Sequence, residues 1–279
     1  MTRGSGGRPR FAAGAAAVLR HAAERAYTRR LRNRLIRHGQ QNRLPDHIGV
    51  IMDGNRRWAR QAGFANPSVG HQIGAEHIAN LLRWCQGLGI HHVTVFVCST
   101  ENLTNRAADE VAFLMNVVET TIARLLTRPG RSWRVHMAGN PDVLPDATAT
   151  ALKNLCVQTE TVDTGHHLTL AVGYGGRQEI VDAFVSFLRE RAEAGATLEE
   201  LAGTFEADDI DRHLYQPDLP LPDIIIRTSG EQRSSNFLLW QGSNADYFFC
   251  DAYWPAFRET DLLRAVRGYL RRSKITDGL

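Results

Sequence analysis

The run HIGVIMDGNRRW, residues 47–58, decides the fold. Its first part, Ile48–Met52, is short, apolar and rich in β-branched residues, as in a strand buried on both faces. Asp53, Gly54, Asn55, Arg56 and Arg57 then put a carboxylate, a glycine, an amide and two guanidiniums into one strand-to-helix turn. Gly54 permits close backbone approach to a ligand, and the free amides of the next helix start favour an anion. Outward from this run the alternation continues. Further β-rich runs are Val93–Cys98, Trp133–Ala138, Leu168–Val172, Ile224–Arg227 and Tyr247–Cys250. Helical patterns lie between them, at about 71–88, 108–127, 146–162, 177–194 and 258–272. This alternation predicts an α/β fold, a mostly parallel sheet covered by helices on both faces.

In such folds ligands sit beyond the carboxyl ends of the strands. The second strand is followed by Ser99, Thr100, Glu101, Asn102 and Leu103. The fifth ends in Arg227 and runs on through Glu231, Arg233, Ser234, Ser235 and Asn236. Gly70-His71 opens a further helix, and Asp246 stands just before the last strand. Arginines with hydroxyls suit bidentate capture of phosphate oxygens. Mg²⁺ needs only one or two carboxylates besides those oxygens. Singly, each feature has a plainer reading. Asp-Gly-Asn is often only a turn, Glu231 can merely pair with Arg233, and His71 can be a satisfied helix-start histidine. Their convergence on one sheet edge points to a diphosphate held with a divalent cation.

The composition narrows the alternatives. The chain has 279 residues, is 43% hydrophobic and carries a formal net charge of +3. Residues 1–45 hold eleven arginines and one acid, Glu24, for a net +10, and the rest of the chain is −7. An acidic body argues against a nucleic-acid-binding one. The only lysines are Lys153 and Lys274, and neither follows a Gly-x-x-x-x-Gly run, so a P-loop is excluded. Cys85, Cys98, Cys156 and Cys250 are widely spaced, the usage of reduced thiols in a cytosolic protein. The apolar stretch from Phe11 to Leu19 is too short to span a bilayer, and neither a transmembrane helix nor secretion is expected. Residues 1–10 are expected to be disordered. Residues 11–38 read as a helix capped by Gly39, with Tyr27, Leu31, Leu35 and Ile36 as an apolar stripe among arginines. That basic arm, residues 1–45, either docks on the body, residues 46–279, or lies on an anionic membrane surface.

The motifs together resemble a known family. The opening run, Gly70-His71 with Gly74-Ala75, Ser99-Thr-Glu-Asn, Gly173-Tyr-Gly-Gly-Arg, Ile226-Arg-Thr-Ser-Gly-Glu-Gln-Arg and Asn236-Phe-Leu-Leu-Trp-Gln are similar to the cis-prenyltransferases, the undecaprenyl diphosphate synthase family. The resemblance covers about residues 45–272. It implies a single domain with a six-stranded, mostly parallel sheet, a hydrophobic tunnel between sheet and helices, and a cytoplasmic homodimer. The implied reaction condenses isopentenyl diphosphate with an allylic diphosphate, using Mg²⁺, and forms a cis double bond. Asp53 matches the essential aspartate that holds the metal. Gly54, Asn55, Arg56, Arg57 and Trp58, with His71, match the allylic diphosphate site. Ser99, Thr100, Glu101 and Leu103 match the segment between the substrates, and Asn102 matches a position described as proton acceptor. Arg227, Arg233, Ser234 and Ser235 match the isopentenyl diphosphate site. Asp246 matches a metal-binding glutamate.

Four departures from the family pattern stand out. Arg56 replaces a glycine. Asn66-Pro67-Ser68-Val69 lacks an arginine. Leu103 and Thr104-Asn105-Arg106 replace Trp and Arg, leaving Arg106 in the arginine role. Asp246 is one methylene shorter than the usual glutamate. Val97, where long-chain members carry a small residue, resembles the actinobacterial short-chain Z-prenyl diphosphate synthases and implies a short product such as Z,E-farnesyl diphosphate. Competing readings are a long-chain synthase, irregular coupling or cyclisation of dimethylallyl diphosphate, and a non-catalytic partner subunit. Among decoys, Asp208-Asp209-Ile210-Asp211 reads as acids at a short helix start. Gly173–Gly176 lacks dinucleotide-loop spacing and reads as a tight turn into a helix. The His91-His92 and His166-His167 pairs read as solvent-facing loop positions.

Overall fold

The computed structural model describes residues 10–39, 43–128, 130 and 132–276, with side chains of residues 10–21, 38 and 273–276 left aside. The first nine residues of the segment expected to be disordered therefore lie outside the described residues. The strands are β1 (His47–Ile51), β2 (His92–Ser99), β3 (Arg134–Ala138), β4 (His167–Tyr174), β5 (Ile224–Arg227) and β6 (Asp246–Phe249). They form one six-stranded sheet in the order β3-β4-β2-β1-β5-β6. Every pairing is parallel. All carboxyl ends therefore face one edge, and β1, β2 and β5, which lead into the three polar clusters, are neighbours. β1 and β5 are buried along their whole length, as expected for central strands covered on both faces.

Helices cover the sheet. The chain enters through α1 (Arg10–Gly39) and passes from β1 into α2 (Asn55–Gln61) and α3 (Val69–Gln86). After β2 come α4 (Thr100–Asn105), α5 (Ala108–Asn116) and α6 (Ala123–Leu126). The pattern at 108–127 predicts one helix. In the structure a π-helical turn, Val117–Ile122, divides it. Val117, Val118, Thr121 and Ile122 are all buried there, so the turn keeps the buried stripe of the helix continuous. Next come α7 (Asp146–Thr159), α8 (Gly176–Glu193), α9 (Leu198–Thr204), α10 (Ala207–Asp211) and α11 (Glu259–Thr276). Gly175 caps α8, as the tight-turn reading expects, and Asp208 and Asp209 lie in the first turn of α10.

One continuous core joins β1, β2, β4 and β5 to α3, the π turn, α7 and α11. Ile48, Ile78, Leu81, Leu168, Ile224 and Val266 are all fully buried in it. Each such side chain contributes about 1.5–3 kcal/mol relative to exposure. α1 joins the same core through Leu31 and Leu35, with Ile36 partly buried against it. Tyr27, assigned to the same stripe, is exposed. α1 also pairs with the last helix region through Arg32–Glu259 and Glu24–Arg258.

Candidate active site

The turn after β1 builds the first wall of the site. Gly54 has φ of +96°, and a Cβ there would come within 2.6 Å of the Tyr253 ring. Glycine is thus needed both for the backbone angle and for space. The Gly54 N–H donates to Asp53 Oδ1 at 2.6 Å, and Arg227 Nη2 donates to Asp53 Oδ2 at 2.9 Å. Burial works against charge on Asp53. The hydrogen bond and charge of Arg227, the Ser229 hydroxyl and the Gly54 amide outweigh it, and its pKa lies below the usual value. Asp53 is therefore a carboxylate at neutral pH. Gly70 lets α3 press on this turn, because a Cβ there would lie 2.1 Å from the Asn55 carbonyl oxygen. The Asn55 amide donates to Met52 O at 3.0 Å, while its Oδ1 is buried without a hydrogen-bond partner.

The second wall is the segment after β5. Arg227 is 3% exposed, donates to Arg233 O at 2.8 Å and contacts the Ser235 hydroxyl. Its Nε is buried and unpartnered. Ser229, Ser235, Asn236 and Leu238 have φ of 79°, 50°, 62° and 46°. L-residues adopt that region only at a cost, so the surrounding contacts hold this segment in a strained form. Arg57 links the two walls. It donates to Ser229 Oγ at 2.7 Å, lies 3.6 Å from both Asp53 and Glu231, and sits over the Tyr253 ring. Glu231 also pairs with Arg233, as the plainer reading has it. The Ser234 carbonyl accepts from Phe237 N.

The third wall centres on Glu110, a residue the sequence motifs do not single out. It is 6% exposed at the start of α5. Its carboxylate pairs with Arg56, accepts from Arg106 Nη1 at 2.8 Å and lies 3.5 Å from His71 Nε2. Arg106 in turn donates to Asn102 Oδ1 at 3.1 Å. One buried carboxylate thus organises side chains from α2, α3 and the α4–α5 connection. Burial first, then the Arg106 charge, pushes the His71 pKa down to about 4, against the pull of Glu110. His71 is neutral near pH 7, so its approach to Glu110 is not an ion pair. The signal for Glu110 in the sequence was its place four residues after Arg106, an i,i+4 pairing. The long-range partners Arg56 and His71 depend on the fold.

These walls enclose a cavity of about 250 Å³. Asp53, Asn102, Arg106, Arg227, Arg233 and Ser235 line its polar side. Phe96, Val97 and Cys98 of β2 line it as well. Three consecutive strand residues reach one cavity because β2 breaks register there: Phe96 pairs with Ala171 and Cys98 with Val172, leaving Val97 as a bulge. Bulges re-aim side chains beside sites in this way. Val97 also packs against the continuous core.

The remaining assigned residues sort clearly. Ser99 caps α4 by accepting from Asn102 N at 3.0 Å, and the Asn102 side chain accepts in return from Ser99 N. Glu101 reaches across to Asn236 at 3.2 Å, and Thr100 contacts Glu101. Trp58 packs on Phe64 with ring centroids 5.8 Å apart, and Leu103 packs against the core. Asp246 requires a correction. The parallel β5–β6 pairing sets it opposite Ile224, at the amino edge of the sheet, and it accepts from Arg272 at 2.7 Å. Within one chain it does not meet Asp53. Of the histidine pairs, His91 and His166 are loop residues as expected, and only His92 and His167 call for a correction. His92 and His167 start β2 and β4 and stack with centroids 4.8 Å apart, and His91 contacts Asp46 at 2.7 Å.

A parallel sheet with arginines and one anionic aspartate gathered at its carboxyl edge defines a phosphate-handling α/β enzyme. Comparison with known proteins narrows the class. Residues 51–276 match the prenyltransferase family model described as "Putative undecaprenyl diphosphate synthase". The chain is 56% identical over 249 residues to an isoprenyl transferase of Streptomyces fradiae, covering 89% of this chain and 95% of that one. It is 45% identical over 256 residues to a (2Z,6E)-farnesyl diphosphate synthase of Mycolicibacterium smegmatis, covering 92% and 96%. The crystal structure of lavandulyl diphosphate synthase from Lavandula x intermedia, in complex with dimethylallyl diphosphate, superposes with a TM-score of 0.73 at 30% identity. That match covers 81% of this chain and 95% of the other. The chain belongs to the undecaprenyl diphosphate synthase family of prenyltransferases.

Proposed function

We propose that this enzyme condenses isopentenyl diphosphate with an allylic prenyl diphosphate, forms the new double bond in the Z configuration, and stops at a short product such as Z,E-farnesyl diphosphate. The observation that carries this reading is the cavity running from Asp53, Arg227 and Arg233 to the bulged Val97. The Asp53–Gly54 turn and Arg57 take the allylic diphosphate, with Asn55, Arg56, Trp58 and His71 around them. Arg227, Arg233, Ser234 and Ser235 take the isopentenyl diphosphate. Guanidiniums keep their charge at any working pH and arrive preorganised, which suits holding two diphosphates for reaction. Asn102 Oδ1 already accepts from Ser99 N and Arg106. An amide is a weak base, so a diphosphate oxygen is the proton acceptor and Asn102 positions Arg106.

The family uses a divalent metal, and Mg²⁺ is the ion proposed. Among the described residues no group of three or more His, Cys, Asp or Glu is placed to hold one. Asp53 with diphosphate oxygens is the donor set that fits, because Mg²⁺ takes one or two carboxylates besides phosphate oxygens. The Asp53 side chain is 32% exposed, and both its oxygens retain acceptor capacity beyond the bonds from Gly54 and Arg227. When bound, the metal would neutralise charge on the departing diphosphate.

The short product is supported by the bulky Phe96 and Val97 in the cavity lining and by the name of the M. smegmatis relative. A homodimer in the cytoplasm completes the proposal, with residues 1–45 as an arm in peripheral contact with a membrane. No described helix is long and apolar enough to cross one. The test is incubation of the purified chain with Mg²⁺, labelled isopentenyl diphosphate and a panel of allylic primers, read by mass spectrometry. A short Z-prenyl diphosphate is expected. Mainly C50–C55 chains would refute the short product. Turnover of dimethylallyl diphosphate alone would show irregular coupling, and no turnover would show a partner subunit.

A further inference from the structure

The α1–α11 pair is flanked by two grooves of opposite character. One, of about 740 Å³, is lined by both signs of charge, with Glu24 on Arg258 at 2.5 Å and Arg32 on Glu259. The other, of about 480 Å³, has no acid in its wall. Its rim carries Arg30 and Arg34 from α1 and Arg267 and Arg271 from α11. Each pair is spaced i,i+4, so both helices turn a two-guanidinium face to the same groove. Among the described residues, none of these four arginines has a carboxylate partner. The floor is apolar. Leu31, Leu35 and Leu270 form its base, and Tyr27 stands 43% exposed beside them.

Like charges gathered this closely repel, and the groove supplies no internal counter-ion. An external anion satisfies it. The apolar floor narrows the kind of anion. A nucleic-acid backbone offers phosphates but no apolar layer for the exposed Tyr27 and the arginine stems. A phospholipid surface offers both, phosphates for the guanidiniums and an interfacial apolar layer for Tyr27 and the arginine stems. Arginine stems lie along apolar surface while their heads reach phosphate level, and tyrosine favours the same interfacial depth. We infer that this groove is the seat of an anionic phospholipid bilayer surface, formed jointly by α1 and α11. The inference rests on the peripheral contact proposed above. It assigns half of the binding face to the catalytic body instead of to the arm alone.

The test is co-sedimentation of the full chain with phosphatidylcholine vesicles, with and without phosphatidylglycerol, at low and high salt. Binding is expected only with phosphatidylglycerol. Arg267→Gln/Arg271→Gln, far along the chain from the arm, is expected to lower partitioning on the order of 30-fold, as two lost guanidiniums imply. Arg30→Gln/Arg34→Gln should match it, with condensation of soluble substrates unchanged in both. If the α11 pair binds like the parent while the α1 pair loses binding, the groove is wrong and the arm reading survives. If the parent ignores anionic vesicles, both fail. Retention on an RNA or DNA duplex that vesicles cannot compete would overturn the lipid assignment.

Discussion

The two edges of the one parallel sheet solve the problem of polar groups in opposite ways. At the amino edge His47, His92, His136 and His167 turn to one another and to local partners. His47 Nε2 lies 2.8 Å from Thr94 Oγ1, and His136 Nε2 lies 2.9 Å from His167 Nδ1. Burial holds all four below the usual histidine pKa, so these histidines are uncharged near pH 7. At the carboxyl edge the cations are arginines, which cannot discard their charge. Arg227 Nε, Asn55 Oδ1 and His71 Nε2 are buried there without hydrogen-bond partners, against His92 Nδ1 alone among the amino-edge histidines. The described non-glycine residues of positive φ, Ser229, Ser235, Asn236 and Leu238, all follow β5 on that side. One edge is built to be stable as it stands. The other stores strain and unmet polar capacity for a ligand to satisfy.

The largest break in that comparison is Asp53→Ala. It should abolish turnover, by about a thousandfold or more, with the circular dichroism of the folded chain retained. Full activity would remove Asp53 from the site. Arg227→Lys comes next. A lysine cannot serve Asp53, Ser235 and the Arg233 carbonyl together, and kcat/KM should fall about 100-fold. Glu110→Gln leaves Arg56 and Arg106 without their shared anion. A loss of about tenfold in kcat/KM is expected, measured well below the variant's own melting temperature, which falls as the two arginines lose a buried partner. Val97→Ala should leave the rate nearly intact and shift products toward longer chains on mass spectrometry.

The smallest effect lies at the amino edge. Burial, with His167 and Arg134 adding, holds His136 at about 4, and burial holds His92 at about 4. The folded chain keeps both neutral while the unfolded chain takes up protons below pH 6.5. Their contribution to stability is complete above pH 6.5 and is lost as pH falls toward about 4. His136→Gln should flatten the decline of melting temperature across that window and change neutral-pH turnover by less than about twofold. A large loss of turnover would make the amino edge part of the site.

The sheet was legible because most strands, such as Ile224–Arg227, are short runs of Ile, Val, Leu or Phe, and every expected run lies within two residues of a strand. The clusters after β1, β2 and β5 were legible because a parallel sheet carries all strand ends to one edge. What stayed hidden depended on partners distant in the chain. Glu110 reads as an ordinary acid at a helix start, and only the packing of α2 and α3 brings Arg56 and His71 to it. Asp246 reads as a strand-adjacent carboxylate, and only the register of β6 on β5 shows that it sits at the far edge. The π turn stayed hidden as well, because the buried positions of the Val-Val-Glu-Thr-Thr-Ile string fit the face of a straight α-helix equally well.

The central claim, that the carboxyl edge holds two diphosphates, is tested most directly by calorimetric titration of the chain with inorganic diphosphate in the presence of Mg²⁺. Two sites per chain are expected for the parent and for His136→Gln. Asp53→Ala should lose the Mg²⁺-dependent site, and Arg227→Lys should weaken the other. Unchanged binding in both carboxyl-edge variants, or loss of binding in His136→Gln, would contradict the account.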